Sequence, residues 1–574
     1  MNEEEKTAKE EWMDSAQKFF QRGDFSGMRA CAQEILAHNL DDVDGLTLLG
    51  QASLYLGEAE KAETVVRRVE CSAPLDWRLL LLKGELARAR HQLEAAVEVL
   101  VKLWGMGQRA EGELPSDRLA VLERGGRLLA DTYVLLAEPE RASELLFELS
   151  ALVQGTEEKA DLYSKGLFLS NYTKHSVQQS LARHERYNAF FGAKVTMPRR
   201  PLTDPARRGK LRIGYISADF REHSMANLLT PFLRDYTKLD FNIYVYMAGE
   251  ADKVTKRFRR FAAVWRDVCG MPAQETARLI YQDRIDILVD FSGHSQHSCL
   301  PVLAYKPAPV QLSGLGYVNT TGLREVDYFL SDAVCLPERE QVRGFSERIV
   351  RLPQQLCYVP ETVKELPPAV TVPPCLRRGY VTFGSFNDFA KVSHETLLLW
   401  RGVLEAVPDS RLLLKGRVAS LMDGRRAALA KLSSVGIDTE RVSLVPFSED
   451  YLREYGEVDI ALDTTPYNGG ITTCEALLMG VPVITLRGDT HGSRFAASVL
   501  EAACLPELIA SSGIDYVKKA VQLANAPELL RRFHEGLREA VTASPLMDGA
   551  GYMREVEAMY RRLWEEHQRE NVTL

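Results

Sequence analysis

Two stretches of this chain hold residues whose types and spacing suit chemistry on a charged ligand. The first is Asp463–Leu486, DTTPYNGGITTCEALLMGVPVITL. The apolar run Val458–Leu462 leads into it, and Pro466, Asn468, Gly469 and Gly470 then break any periodicity. Thr472 and Thr473 are placed to cap a helix carrying Leu477, Leu478 and Met479. Gly480 ends that helix before the apolar run Val481–Leu486. A strand, turn and helix of this kind leave backbone N–H groups without partners beside two hydroxyls, at the positive end of a helix dipole. That is a seat for an anion such as a pyrophosphate. An ordinary crossover with no ligand shares the pattern, so the rest of the chain must decide. The second stretch is FGSFNDFAK (383–391), which joins a strand to a helix with Ser393 expected at its N-cap. Lys391 falls in the turn before that helix, where the dipole opposes a cation. A solvated lysine gains little there, whereas one that grips phosphate oxygens has a reason to be there.

Three further polar loops each follow an apolar run: Ala218–Ser224, Asp290–Ser295 and Gly314–Gly322. At the end of a strand His223 can accept a proton or donate a hydrogen bond. A lone loop histidine more often has no special role, but three such loops carry more weight than one.

The elements that must position these residues follow from periodicity. Residues 14 to about 105 repeat every 34 residues, with equivalent turns at Gly23, Gly57 and His91 and small residues at Ala16, Gly50 and Gly84. Met28, Ala62 and Ala96 correspond on the second helices, and Pro74 falls where a helix pair should end. Helix–turn–helix units of this period look like tetratricopeptide repeats, whose solenoids commonly grip extended peptide or serve as purely structural supports. A further pair is expected at Arg118–Leu136 and Pro139–Val153, then linking helices within Ser164–Phe191. Pro201–Lys210 reads as a linker. Beyond it apolar strands alternate with helices: Leu211–Ile216, Phe241–Met247, Ile285–Val289, Val310–Gly314 and Tyr328–Leu330. Pro353–Pro374 is a second seam, after which the pattern restarts with Val381–Phe383, Arg411–Lys415, Val442–Pro446 and Val458–Leu462. Two doubly wound parallel sheets with a cleft between them are implied. A last amphipathic helix, about Gly551–Arg569, is expected to lie back across the pair.

With 574 residues and a net charge of −8 the chain needs several domains and is not a general nucleic-acid binder. The basic run Lys256–Arg260 reads as a solvated helix face. Nine cysteines without a CxxC pair suit a reducing compartment and neither a disulfide framework nor a zinc site. MNEEEKTAKEEW lacks the apolar core of a signal peptide, and no apolar run is long enough to span a bilayer. The expectation is a soluble cytoplasmic protein with no membrane partner.

FGSFNDFAK (383–391), PAPVQLSGLGYVNTTGLREVDYFLSD (307–332), DFSGHS (290–295) and LDTTPYNGGITTCEALLMGVPVITL (462–486) resemble the O-linked N-acetylglucosamine transferase family, glycosyltransferase family 41. The closer match is its SPINDLY-like bacterial and plant branch, and the resemblance runs from about Leu211 to Pro545. It implies an α/β GT-B architecture, two Rossmann-like domains facing a cleft, preceded by an all-α tetratricopeptide-repeat solenoid. The implied boundaries are 1–155 for the repeats, 156–209 for linking helices, 210–355 and 375–545 for the Rossmann-like domains, and 546–574 for the last helix. It implies an inverting, metal-independent transfer with no cofactor beyond the nucleotide-sugar donor, UDP-N-acetylglucosamine first. The acceptor would be Ser or Thr of a protein held by the repeats, and an oligomer is compatible. UDP-glucose, GDP-fucose, an Asn or glycan acceptor, and a non-catalytic scaffold are the alternatives.

By the same resemblance Lys391 holds the donor diphosphate, with Asn387, Gly470, Thr472 and Thr473 around the phosphates and Glu475 on the ribose. His223 and His294 match two cleft histidines, the first once proposed as catalytic base and the second near the sugar. No metal ligands are implied. Three departures bear on donor identity. Ile471 stands where the animal enzyme has histidine, Asp388 replaces an amide or related residue, and Pro446–Asp450 lacks a lysine that contacts the donor there.

Overall fold

The computed structural model describes residues 3–110, 112–192, 196–199, 209–338, 344–360 and 366–572. Two compact units result, one made of Met1–Val153 with Leu421–Ala427 and the other of Gln154–Ser420 with Ala428–Leu574.

The first unit is helical hairpins in sequence: Glu3–Gln21, Phe25–His38, Val43–Tyr55, Ala59–Ser72, Trp77–Ala89, Leu93–Gln108, Ser116–Leu135 and Pro139–Leu152. The repeat shows in the backbone. Gly23, Gly57 and His91 all turn with positive φ, at 71°, 83° and 60°. Glycine adopts this region freely, while His91 holds it against its own Cβ. The small positions serve close approach: a Cβ on Gly50 would stand 2.5 Å from Leu82, and one on Gly84 2.5 Å from Leu100. Met28, Ala62 and Ala96 are buried, as their equivalence requires.

The second unit opens with the linking helices Thr156–Ser170 and Val177–Tyr187. Residues 201–208 of the expected linker lie outside the described residues, as do 361–365 of the second seam. A seven-stranded sheet follows: β1 (Leu211–Ser217), β2 (Phe241–Met247), β3 (Val264–Asp267), β4 (Ile287–Asp290), β5 (Val310–Gly314), β6 (Tyr328–Asp332) and β7 (Arg348–Leu352). Its order is β3-β2-β1-β4-β5-β6-β7, with every pairing parallel. The second sheet comprises β8 (Thr382–Ser385), β9 (Arg411–Lys415), β10 (Val442–Val445), β11 (Ile460–Leu462), β12 (Val483–Leu486) and β13 (Ile509–Ala510). Its order is β10-β9-β8-β11-β12-β13, again parallel. Strand order reverses between β1 and β4 and between β8 and β11, and loops at such switch points border a crevice. The strands β4, β5, β6 and β8 are buried along their whole length, their polar residues included, as expected of a parallel sheet covered on both faces.

The last helix, Gly549–Val572, corrects the expectation that it bridges the pair, because it belongs to the first sheet. Tyr560 meets Tyr215 of β1 hydroxyl to hydroxyl at 3.3 Å, Tyr552 packs edge-on against Phe232, and Glu557 accepts from both the N–H and the hydroxyl of Thr237. The chain thus crosses from the first sheet to the second after β7 and returns at Pro545–Gly549. Among the described residues no helix is long and apolar enough to cross a membrane.

Candidate functional site

At the second switch point the sequence brings four segments to one place. Asp463 ends β11, and its buried carboxylate accepts from the Gly469 N–H at 2.7 Å, the Thr485 hydroxyl at 2.6 Å and Asn387 Nδ2 at 3.3 Å. Burial pushes this carboxyl up to about 6 despite those donors and the Lys391 charge. Asn387 Oδ1 in turn accepts from the Thr472 hydroxyl at 3.1 Å. A fixed chain therefore runs from β12 through Asp463 and Asn387 to the first turn of the helix Ile471–Leu478.

That helix begins with Gly470 as its N-cap and has no side-chain cap. Thr472 and Thr473 are therefore not caps, correcting the sequence expectation, because the helix starts ahead of them. The Thr473 hydroxyl donates back to the Gly469 carbonyl at 2.9 Å, and the Cys474 N–H is the first to reach a carbonyl within the helix, that of Gly470. The N–H groups ahead of it point out of the helix as at any N-terminus. Gly469 and Gly470 cannot carry a side chain here. A Cβ on the former would strike the Thr472 hydroxyl, and one on the latter the ring of Phe495.

Lys391 ends a short turn whose Asp388 carboxylate accepts from the Ala390 N–H at 3.0 Å. Its Nζ stands 4.6 Å from the centroid of the Tyr467 ring. Burial pulls the ammonium below its ordinary value, opposed by Asp388 and Asp463 through space, and no carboxylate among the described residues forms an ion pair with it. Glu475, in the second turn of the helix, is 7% exposed and accepts from the Tyr451 hydroxyl. Burial pushes its carboxyl up to about 7. Beside Tyr451 lies Phe447, 61% exposed, with the two rings stacked at 6.4 Å in the stretch that lacks a lysine. Asn387, Lys391, Gly470, Thr472, Thr473 and Glu475 thus share one neighbourhood. Asp463 and Tyr451, whose roles rest on partners far away in sequence, were not singled out beforehand.

The first sheet treats its three loops differently. His223, after β1, keeps its side chain 41% exposed, with Nδ1 3.5 Å from Asp219 Oδ1 and 3.3 Å from the Met225 N–H. Asp219 is nearly buried, and desolvation raises its carboxyl against the pull of His223, Arg221 and His297. His294 is a correction. It is fully buried, its Nδ1 meets the Ser164 hydroxyl at 2.6 Å, and its Nε2 donates to the Thr321 carbonyl at 2.8 Å. Tyr187, Tyr317 and His184 enclose the ring, and burial holds its pKa well below the usual value, so it is neutral. Both ring nitrogens are spent on structure, and no face is left for a sugar. The Gly314–Gly322 loop is spent likewise. The Tyr317 hydroxyl meets Asn171 Nδ2 at 2.9 Å and His184 Nε2 at 2.7 Å, while Thr320 and Thr321 donate to the buried Glu347. These two loops hold the linking helices onto the sheet.

An ammonium that forms no ion pair among the described residues, beside the N-terminus of Ile471–Leu478, suits an entering polyanion. Comparison with known proteins identifies the family and the fold. The model for glycosyl transferase family 41 matches residues 190–364 and 375–556. A probable UDP-N-acetylglucosamine–peptide N-acetylglucosaminyltransferase SPINDLY of Solanum lycopersicum is 37% identical over 390 residues, covering 66% of this chain and 40% of that protein. The corresponding SEC protein of Arabidopsis thaliana is 29% identical over 389 residues, with 64% and 39% covered. The chain thus spans about 40% of the length of such curated relatives. An O-GlcNAc transferase mutant structure from Thermobaculum terrenum superposes with a TM-score of 0.73 at 26% identity, covering 100% of both chains.

Proposed function

The chain belongs to glycosyl transferase family 41, and from this premise we propose that it moves a sugar from a nucleoside-diphosphate donor onto Ser or Thr hydroxyls of a protein. UDP-N-acetylglucosamine is the first donor to consider, and the names of the relatives support it together with a peptide acceptor. The observation that carries the reading is the unpaired Lys391 ammonium above Tyr467, next to the N-terminus of Ile471–Leu478.

In this reading the acceptor oxygen attacks the anomeric carbon as the bond to the diphosphate oxygen breaks, so a single displacement inverts the centre. The leaving diphosphate gathers negative charge, which Lys391 and the helix amides meet without reorganising. The charge needs no metal when fixed donors already face it. Glu475 accepts from ribose hydroxyls, with Tyr451 holding its carboxylate in place. The acceptor proton leaves toward the β1 loop, where His223 is the exposed base beside Asp219. The repeats hold the polypeptide acceptor.

A second reading keeps the reaction and changes the donor to UDP-glucose or GDP-fucose, or the acceptor to Asn or a glycan. Phe447 and Tyr451 favour giving it a hearing, since aromatic rings rather than a lysine flank Glu475. One experiment decides between them. Intact mass of candidate acceptor proteins after incubation with each donor, with and without EDTA, reports the sugar added and any metal requirement. Mass gain from UDP-N-acetylglucosamine that survives EDTA and vanishes in Lys391→Ala supports the first reading. No mass gain and no nucleotide binding with any donor would leave a non-catalytic scaffold.

A further inference from the structure

A cavity of the second unit lies apart from Lys391, Thr472 and Glu475. It is a chamber of about 760 Å³ that none of those residues lines. Its walls are the turn between the linking helices (170–180), the loops that follow β5 and β6, Thr465–Pro466, and the loop 488–494 after β12. These are carboxyl ends of strands in both sheets, displaced from the switch points toward the β6 and β12 side.

His491 lines this chamber and is 3% exposed. The rings of Phe329, Phe345 and Phe495 surround it. The Val318 backbone lies near enough to favour a proton on the ring, as does Asp332 through space, yet neither ring nitrogen makes a hydrogen bond of normal geometry. Burial outweighs both influences and holds the imidazole neutral, with its pKa down at about 4. A neutral imidazole offers one N–H donor and one lone pair, which suits a hydroxyl, able to accept and donate at once, better than an anion, which only accepts. The Asp332 carboxylate is taken by the N–H groups of Val334, Cys335 and Gln355 and by the Ser498 hydroxyl, so it does not serve as the partner of His491.

The remaining lining fits the same guest. Phe345 is half-buried and lines the chamber, the Thr490 and Ser493 hydroxyls bond each other at 2.9 Å, the Arg494 guanidinium donates to the Gly488 carbonyl at 2.6 Å, and Glu338 and Asp489 present exposed carboxylates that accept from hydroxyl groups. Lys174 at the rim faces the Glu395 carboxylate at 3.8 Å, so its charge is partly answered. Two exposed carboxylates, an unpartnered neutral imidazole and a half-buried aromatic ring, with Lys174 and Arg494 already answered, suit a ligand with many hydroxyls and no charge. We propose that this chamber is a second saccharide site, binding a neutral mono- or disaccharide through His491 and Phe345, separate from the seat of the donor. The assignment of the donor seat rests on the proposed function, whereas the chamber does not.

The test is saturation-transfer NMR and calorimetry on the full chain, with N-acetylglucosamine, glucose, fucose and their methyl glycosides as probes. Binding of at least one is expected, unchanged by saturating UDP and GDP and unchanged in Lys391→Ala. His491→Leu is expected to weaken it roughly ten-fold or more, the loss of about one good hydrogen bond. Asp489→Ala changes an exposed residue and is expected to weaken binding several-fold without moving the melting temperature, while Phe345→Ser also removes a ring packed on Phe329 and His491, so its several-fold loss is read at equal folded fraction. Failure of every probe to bind would overturn the proposal and leave the chamber to water. Binding that UDP displaces, or that Lys391→Ala abolishes while the His491, Phe345 and Asp489 variants retain it, would overturn it by placing the saccharide in the donor seat.

Discussion

The ammonium of Lys391 rests 4.6 Å above the ring of Tyr467, with Asp388 and Asp463 acting on it only through space. A ring face stabilises the cation without neutralising it, so the charge stays available for a ligand. Lys391→Ala is expected to lower kcat by about 10²–10³-fold, the usual loss when one fixed donor to a developing charge is removed. Tyr467→Leu keeps the charge and loses its support, costing about 1 kcal/mol and roughly five-fold in rate. Single-turnover kinetics on both variants, with circular dichroism to confirm the fold, would measure the difference. Equal activity of Lys391→Ala and the parent would remove the lysine from the chemistry.

Glu475 gives a stability profile with a definite sign. Its carboxyl titrates near 7 in the folded chain and near 4.5 when unfolded, so between those values the folded state binds more protons. Stability contributed by this group is therefore greatest below pH 4.5 and falls as pH rises through 7. Glu475→Gln is expected to recover about 2–3 kcal/mol at pH 8 relative to its effect at pH 5. Denaturant melts of the ligand-free protein at the two pH values test this, and a mutant whose effect is the same at both would refute it.

The two histidines should separate cleanly. His294 is sealed and neutral with both nitrogens used, so His294→Phe should cost about 1–3 kcal/mol of stability and change kcat of the folded fraction little. His223, exposed beside Asp219, is the one whose replacement by alanine should leave the melting temperature alone and lower the rate by about 10²-fold or more. The pair of measurements fails if His294→Phe proves the slower enzyme at equal folded fraction.

Gly322 turns with φ of 67°, and a Cβ there would strike the carbonyl of His184 on the second linking helix. Gly322→Ala is expected to destabilise the catalytic unit by about 1–3 kcal/mol through backbone strain and lost helix docking. Hydrogen exchange should show the loss first in Val177–Tyr187. Unchanged protection in that helix would count against the docking role.

How far the fold could be read from sequence depended on burial. β2, β5 and β9 lie within the bounds expected of them because each is an apolar run closed by turn residues. β3 and β7, VWRD and RIVRL, escaped notice because they are edge strands with an exposed face and a broken pattern. Although it starts ahead of Thr472 and Thr473, the helix after Gly470 was legible, as was the Ser393 N-cap, because both follow from neighbours in the chain. His294 was not. An apolar strand announces the loop after it without saying which way that loop folds, and its direction is set by Ser164, 130 residues away. Asp463 stayed hidden for the same reason, since its partner Asn387 is 76 residues distant.

Because the last helix returns to the first sheet, the two α/β halves are joined by two separate passages of backbone. Both halves lie within one compact unit, so each passage ties one sheet to the other. A cut between β7 and β8 would leave two fragments that still hold together, since Tyr560, Tyr552 and Glu557 keep the C-terminal fragment clamped to β1 and its neighbours.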